Sequence, residues 1–224
     1  MIFCTISTVR LGALFVSILL SSTAPRFVPA TGTVITRSLP PAWVAFESAW
    51  SDVVGYSATV SVFERKGDEV QHLTFDYRFR KPSSATVRVV DGPNAGVTLQ
   101  WNGGDSMVAH RGSGFAALFK RTISLHDPLA TTIRGSSIDQ LSFGAVLAHG
   151  EATPGDVAQA TGSTVQATQT DAVSVVPTTP ATDASLTLEI VYLSKETHLP
   201  VLVAGYEGAI LVRSIEFASV KLER

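Results

Sequence analysis

The chain has 224 residues, and its 17 Lys and Arg against 19 Asp and Glu give a formal net charge of −2 at pH 7. This balance lacks the basic stripe that nucleic-acid-binding proteins present, so we expect no nucleic-acid partner. The single cysteine, Cys4, lies near the N-terminus. The rest of the chain can therefore form no disulfide, zinc-thiolate site or cysteine nucleophile.

An apolar run follows Arg10 and extends over residues 11–20. As a helix it would span roughly 15 Å, about half of the hydrocarbon core of a bilayer. Such a run is typical of a signal peptide, and the small side chains of Val28 and Ala30 predict cleavage after Ala30. We expect residues 1–30 to direct export to the bacterial periplasm, with an uncleaved, membrane-anchored segment as the alternative.

Residues 31–39 are expected to form a leader ahead of one domain at 40–224. Pro40 and Pro41 open a helical pattern with apolar residues three or four positions apart, and Gly55 is expected to end it. Antiparallel strands separated by turn signals are expected next, at residues 56–65, 72–80, 85–90, 97–101 and 106–111.

Helical signals then interrupt the strands. A turn of helix is predicted over 114–120, a short helix from Asp127 to about residue 133, and a longer one that Ser136 or Ser137 caps and that ends near Gly150. The Ala- and Thr-rich segment 151–183 is interpreted as an insertion or mobile edge of the domain. Further strands are expected at 164–168, 172–176, 185–193, 199–206 and 210–222. These elements predict the α+β class.

The strand at residues 72–80 alternates strictly between apolar and polar side chains. Because side chains of a strand alternate between faces, one face of the sheet is apolar and needs a cover. Candidates for the lining of an apolar cavity on that face are Trp43, Phe46 and Trp50 on the helix, and Val60, Val62, Leu73, Phe75, Tyr77, Phe79, Leu99 and Trp101 on strands. For each of them, plain packing in the core is the alternative.

No motif for catalysis or metal binding stands out in the sequence. The five histidines show no metal-ligand spacing, and Ser113 follows Arg111-Gly112, whereas a nucleophile elbow needs Gly at position 111. His126 and Asp127 lie beside Ser124, but Asp127 before a proline is expected to cap a turn. We therefore expect no enzymatic activity, metal or cofactor, and an exported hydrolase is the alternative.

The order of elements resembles the LolA-like superfamily of periplasmic lipoprotein carriers and outer-membrane lipoprotein-sorting proteins. The resemblance rests on the helix, strand 56–65, the strand that closes in Phe79-Arg80-Lys81-Pro82, and Val89-Val90-Asp91-Gly92 before a Trp-containing strand. It covers about residues 40–222. It implies a strongly curved antiparallel sheet, an incomplete β-barrel whose apolar concave side is covered by helices.

The resemblance also implies a lid contact. In the lipoprotein carrier, an Arg before the strand-ending Pro helps to hold the helical lid. Lys81 takes that position here and Arg80 precedes it, so Arg80 and Lys81 are the candidate lid contacts. Lys lacks the bidentate fork of Arg, and a solvated strand end is the alternative for both residues.

Apolar surface alone can hold a lipid, because burying an acyl chain of about 14 methylenes gains roughly 11 kcal/mol before ordering costs. The resemblance thus implies an exported carrier that buries acyl chains of a lipid or acylated lipoprotein in an apolar cavity under a helical lid. The alternative is an envelope protein-interaction or sensor domain on the same fold. Its cavity would be filled by its own side chains, and its partner would be a membrane-associated envelope protein.

Overall fold

The computed structural model describes residues 39–112, 120–151, 158–175, 183 and 185–224, all within one compact unit, Arg37–Arg224. The predicted signal peptide, most of the leader and nearly all of the helical turn predicted over 114–120 lie outside the described residues. The helices are α1 (Pro41–Ser51), a 3-10 helix (Ile138–Leu141) and α2 (Phe143–Glu151). The strands are β1 (Gly55–Lys66), β2 (Glu69–Arg80), β3 (Ser84–Asp91), β4 (Val97–Trp101), β5 (Ser106–Arg111), β6 (Arg121–Ser124), β7 (Ala158–Val165), β8 (Thr168–Val175), β9 (Leu188–Ser194), β10 (Pro200–Glu207) and β11 (Ile210–Glu223).

The eleven described strands form one antiparallel sheet in the order β6-β5-β4-β3-β2-β1-β11-β10-β9-β8-β7. In the middle of the sheet β1 pairs with β11, with Val60 opposite Phe217 and Val62 opposite Ile215. On either side of this pair, each strand is hydrogen-bonded to the next strand in sequence. Strands β6 and β7 are the ends of this order. The predicted antiparallel sheet is confirmed, with eleven strands among the described residues where the sequence predicts ten.

The predicted strands in the first half of the sheet agree with the structure because their turns are clearly marked. β1 and β2 are joined at Gly67, whose φ of +61° lies in the left-handed region that favours glycine. β4 and β5 are joined through Gly103, with φ +86°. These turns fix the register of each hairpin and so place alternate residues on the two faces.

Two predicted helices differ from the structure. The helix predicted from Asp127 is wrong, because the Asp127 carboxylate accepts the N–H of Leu129 at 2.9 Å and holds a series of turns instead. The long helix predicted from Ser137 is broken at Ser142, which is extended (ψ 148°). The Ser142 hydroxyl accepts the N–H of Ala145 at 3.0 Å, which starts α2 as a new helix.

Two strand predictions also need correction. The strand predicted at 164–168 is interrupted by a turn at Gln166 and Ala167, which both have positive φ and join the end of β7 to the start of β8. Non-glycine residues adopt this conformation rarely, so the sequence carries no signal for it. β6 was not predicted; it pairs with β5 over four residues. The described part of 151–183 adds two strands at the end of the sheet.

The hydrophobic core lies on one face of the sheet. Tyr56 on β1 stacks on Phe143 of α2, with ring centroids 4.1 Å apart, and Trp50 of α1 lies 5.9 Å from the Phe79 ring on β2. Both helices therefore pack on the apolar face that the alternation in β2 predicts. The largest completely buried apolar side chains there are Trp43, Phe46, Tyr56, Tyr77 and Phe143.

Candidate apolar binding site

An open hollow of about 460 Å³ lies where the ends of β2 and β4 meet α1 and α2; we call it the aromatic hollow. Its volume falls within the roughly 300–1,000 Å³ range of small-molecule sites. Three of its walls are aromatic rings, and a lysine lies beside them. The lining residues are Trp50, Phe79, Lys81, Pro82, Trp101, Asp139, Ser142, Gly144 and Ala145.

Trp50 is the central wall of the aromatic hollow. Its ring centroid lies 6.2 Å from that of Tyr56 and 6.0 Å from that of Phe143, both in edge-to-face geometry. α2 approaches the ring closely at Gly144, where an added Cβ would lie 3.3 Å from two indole atoms. The absence of a side chain at Gly144 therefore allows the indole to approach α2 this closely.

Lys81 ties the end of β2 to the end of α1. Its ammonium donates to the carbonyl oxygens of Trp50 at 2.5 Å and Ser51 at 3.3 Å, and it lies 4.3 Å from the Trp50 ring centroid. The last carbonyls of a helix have no partner within the helix, and the negative end of its dipole favours a cation. Partial burial lowers the pKa of the Lys81 ammonium, and the Asp52 carboxylate counteracts this effect.

The two candidate lid contacts are placed differently. Lys81 reaches α1, whereas Arg80 is exposed and pairs across the sheet with Gly55 and Ser84. Since Phe79 faces the helices, its neighbour Arg80 faces the opposite side of the sheet. The contact to the helix is thus made by the residue directly before the proline.

A second, smaller hollow lies beneath residues 128–142, which we call the cover segment. This covered cavity measures about 80 Å³, well below the size at which ligand sites begin. Its apolar walls combine the sheet with the cover segment: Leu73, Phe75, Val87, Val89, Leu99, Leu129, Ile138 and Leu141.

Two buried tyrosines hold the 3-10 helix of the cover segment over the sheet. Tyr56 donates to Leu141 O at 3.3 Å and Tyr77 donates to Ile138 O at 3.4 Å. Burial raises the pKa of both phenols far above the ordinary value, so both remain protonated donors at any ordinary pH. These are long hydrogen bonds between neutral groups, and each is worth only about 0.5–1.5 kcal/mol.

The other end of the cover segment is held by charge. The completely buried Glu64 carboxylate accepts the backbone N–H of Arg134 and the hydroxyl of Ser136, each at 2.9 Å. The Arg134 guanidinium donates to the carboxylates of Asp183 and Glu207. We call this set, Glu64, Arg134, Asp183 and Glu207, the arginine anchor.

Ionisation within the arginine anchor is coupled. Burial alone would lower the pKa of Arg134, but hydrogen bonds with Asp183 and Glu207 raise it overall. Burial would raise the pKa of Asp183, but hydrogen bonds from Ser185 and Arg134 lower it overall. Hydrogen bonds from Ser185 and Arg134 likewise lower the pKa of Glu207. Arg134, Asp183 and Glu207 are thus charged at neutral pH.

The structure divides the predicted lining residues into three groups. Trp50, Phe79 and Trp101 line the aromatic hollow, and Leu73, Phe75 and Leu99 line the covered cavity. The remaining five are buried and line neither of these hollows: Trp43, Phe46, Val60, Val62 and Tyr77. Sequence reasoning missed the contributions of Asp139, Ser142 and Gly144, since only the apolar spacing of this region gave a signal.

The residues considered for catalysis are engaged in local turns. The Ser124 hydroxyl accepts the backbone N–H of His126 at 3.2 Å, and the Asp127 carboxylate caps the next turn. Within the described residues, no group of three or more His, Cys, Asp or Glu side chains could hold a metal ion. No helix in the described part of the chain has the length and apolarity to cross a membrane.

No family model matches the sequence, and no curated protein matches it. Among solved structures, the chain is similar to the Mycobacterium tuberculosis lipoprotein LppX, with 12% identity and a TM-score of 0.44 over 83% of this chain and 95% of that one. A putative outer membrane lipoprotein-sorting protein domain from Vibrio parahaemolyticus gives 10% identity and 0.43 over 81% and 92%. A LolA superfamily protein from Nitrosomonas europaea gives 10% and 0.38 over 82% and 94%.

Proposed function

We propose that the chain is an exported lipid- or lipoprotein-binding carrier that takes acyl chains into the aromatic hollow and, by displacement of the cover segment, into the covered cavity. The observation that carries this proposal is that one 3-10 helix separates the two hollows. Ile138 and Leu141 face the covered cavity, while Asp139 lines the aromatic hollow. Moving this single turn joins the two apolar spaces.

The energetics favour a long acyl chain. Displacing the turn exposes Ile138 and Leu141, at about 1.5–3 kcal/mol each, and breaks two neutral hydrogen bonds at about 0.5–1.5 kcal/mol each. The total cost is roughly 4–9 kcal/mol. About 14 buried methylenes gain roughly 11 kcal/mol before ordering costs, which exceeds this cost, whereas half as many gain roughly 6 kcal/mol, which only matches the middle of its range.

The cover segment is held unequally at its two ends, which sets how it opens. Beside the aromatic hollow it is held by the two long tyrosine hydrogen bonds. Near Arg134 it is held by a buried carboxylate and a guanidinium with two carboxylate partners. Opening therefore begins beside the aromatic hollow, and the arginine anchor acts as the fixed end.

In this proposal the sheet is a half-barrel whose concave side carries the helices as a lid. Residues 1–30 direct export to the periplasm and are removed after Ala30. The chain acts by reversible binding, without catalysis, metal or cofactor. Its partners are a lipid or an acylated lipoprotein.

Native mass spectrometry of protein purified from the periplasm tests this proposal, together with titration of a fluorescent 16-carbon fatty acid. We expect co-purified lipid and saturable probe binding that Trp101→Ala weakens. The matched control is Val90→Ala, since Val90 is exposed on the opposite face of β3. A protein that purifies without lipid and does not bind the fluorescent fatty acid would contradict the proposal.

A second candidate function is supported by the small volume of the covered cavity. At about 80 Å³, it is largely filled by the protein's own side chains. A protein-interaction or sensor domain of the envelope needs no empty volume beneath its cover. Affinity capture of one defined envelope protein, unchanged when the aromatic hollow is blocked by Ala145→Phe, would favour this function over lipid carriage.

A further inference from the structure

A third hollow lies on the opposite, polar face of the sheet, remote from the acyl-chain site. This outer groove has a volume of about 620 Å³ and crosses β11, β1, β2 and β3. The residues that matter for its chemistry are Arg78, Arg88, Lys221, Asp76, Ser57 and Thr59. Three cations and one carboxylate thus share a groove in a chain whose net charge is −2.

The register of the sheet brings the cations together. Lys221 pairs with Ser57, and Ser57 pairs with Arg78 on its other side. Since paired Cα atoms lie about 4.5–5.5 Å apart, Lys221 and Arg78 flank Ser57 at roughly 10 Å from each other. Arg88 pairs with Asp76 and is the diagonal neighbour of Arg78, at about 7–8 Å. One small anion over Ser57 can meet all three side chains.

A β-bulge in β11 places Lys221 in the groove. Thr59 pairs with Ala218, so a regular ladder would set Val220 opposite Ser57. The extra residue, Ser219, has φ +52° and shifts the register so that Lys221 takes that position. Bulges bend a strand and redirect its side chains, and they are common beside functional sites. The irregularity replaces an apolar residue with a cation at the centre of the groove.

The charged side chains of the groove are available to a ligand. Arg78, Arg88, Lys221 and Asp76 are exposed, and none of these four side chains forms a hydrogen bond or ion pair with another residue in the part of the chain described. Glu216 and Glu223 also lie on β11 but are not among the described residues that line the groove, and Glu216 accepts a hydrogen bond from Gln166 at 2.7 Å. The positive charge of the groove is therefore not balanced by internal pairs.

We propose that the outer groove binds a phosphate group, carried either by a lipid headgroup or by a soluble phosphate ester. Arginine presents a planar fork of donors that matches two phosphate oxygens, and lysine adds a point charge. The Ser57 and Thr59 hydroxyls supply neutral donors between them. The groove and the aromatic hollow lie on opposite faces, so phosphate binding does not depend on acyl-chain binding.

Glycerol 3-phosphate and vesicles of phosphatidylglycerol are the two probes, with phosphatidylcholine vesicles as the reference for membrane charge. The triple variant Arg78→Gln, Arg88→Gln, Lys221→Gln is expected to lose at least about tenfold in affinity, since each charged hydrogen bond lost costs about that much. The control variant Lys66→Gln, Arg121→Gln, Arg224→Gln makes the same charge change at exposed positions outside the groove. It is expected to stay within about twofold of the parent protein.

The Asp76→Asn variant is expected to change affinity in the opposite direction from the triple variant. A folding defect would weaken binding, so it cannot produce this increase. Removing the Asp76 carboxylate, the one acid among the described residues that line the groove, is expected to strengthen binding of glycerol 3-phosphate a fewfold at low salt. Binding of glycerol 3-phosphate identifies a soluble ester, and binding of phosphatidylglycerol vesicles alone identifies a headgroup; both support the site. Absence of binding to either probe, or equal losses in the groove and control variants, would overturn it.

Discussion

The Lys81 ammonium donates a hydrogen bond to the carbonyl oxygen of Trp50 and also lies against the face of the Trp50 ring, 4.3 Å from its centroid. One side chain thus meets both the last turn of α1 and the main aromatic wall of the hollow. The position of the helix and the shape of the hollow are therefore linked. A change at Lys81 alters both.

Replacing Lys81 with Met is expected to loosen α1 from the sheet. The variant loses the cation at the helix C-terminus and the contact with the indole, which are together worth about 1 kcal/mol at this partly exposed position. Urea unfolding measures the loss, and a red shift of tryptophan emission reports exposure of Trp50. Arg80→Met is the matched control, since Arg80 is exposed on the other face; an equal loss there would contradict a specific role for Lys81.

Acid is expected to weaken the arginine anchor. The pKa values of Asp183 and Glu207 are lower in the folded protein than the ordinary values near 4. As the pH falls through that range, the unfolded chain takes up protons before the folded chain does, so the free energy of unfolding decreases. The loss is complete only below the folded-state pKa values. Urea unfolding at pH 7, 4 and 3 measures this slope.

The Arg134→Met variant tests whether the arginine anchor causes this pH dependence of the free energy of unfolding. It removes a buried guanidinium whose two carboxylate partners are partly exposed, and it should cost about 2–3 kcal/mol at neutral pH. Its stability should also depend less on pH between 5 and 3 than that of the parent protein. An unchanged pH slope would show that other carboxylates determine the acid sensitivity.

The sheet could be predicted largely because its signals are local. Turn glycines such as Gly67 and the alternation that ends at Phe79 define strands and faces within a few residues. The face that carries the helices followed from the same alternation. The helices after Asp127 were harder, because Ser142 and Asp127 use their side chains to end or replace helical hydrogen bonds.

The candidate site could be predicted only in part, because it depends on contacts distant in sequence. Trp50, Phe79 and Trp101 were found from apolar patterning, which does not distinguish a wall from the core. Nothing local indicates that Gly144 lies against Trp50, or that Arg134 reaches Asp183 and Glu207. The outer groove was missed for the same reason, since a register shift at Ser219 creates it.

Filling the aromatic hollow is expected to abolish acyl-chain binding. Ala145 on α2 is half-buried and lines the hollow, so Ala145→Phe places a ring where the chain would lie. We expect the affinity for a 16-carbon fluorescent fatty acid to fall at least about tenfold, because several methylenes lose their apolar contacts. Val44→Phe adds a similar ring at an exposed position of α1 and should bind normally. Equal binding by both variants would place the ligand elsewhere.

Easing the displacement of the cover segment is expected to favour long acyl chains selectively. Tyr77→Phe removes the hydroxyl that donates to Ile138 O, which lowers the cost of moving the 3-10 helix by about 0.5–1.5 kcal/mol. Affinity for 16-carbon fatty acids should then rise about two- to tenfold, because only these reach the covered cavity. Eight-carbon fatty acids, confined to the aromatic hollow, should bind unchanged. Tyr192→Phe on β9, a half-buried tyrosine that lines neither hollow, is the control. A uniform change at both chain lengths would mean that the cover segment does not open to admit the ligand.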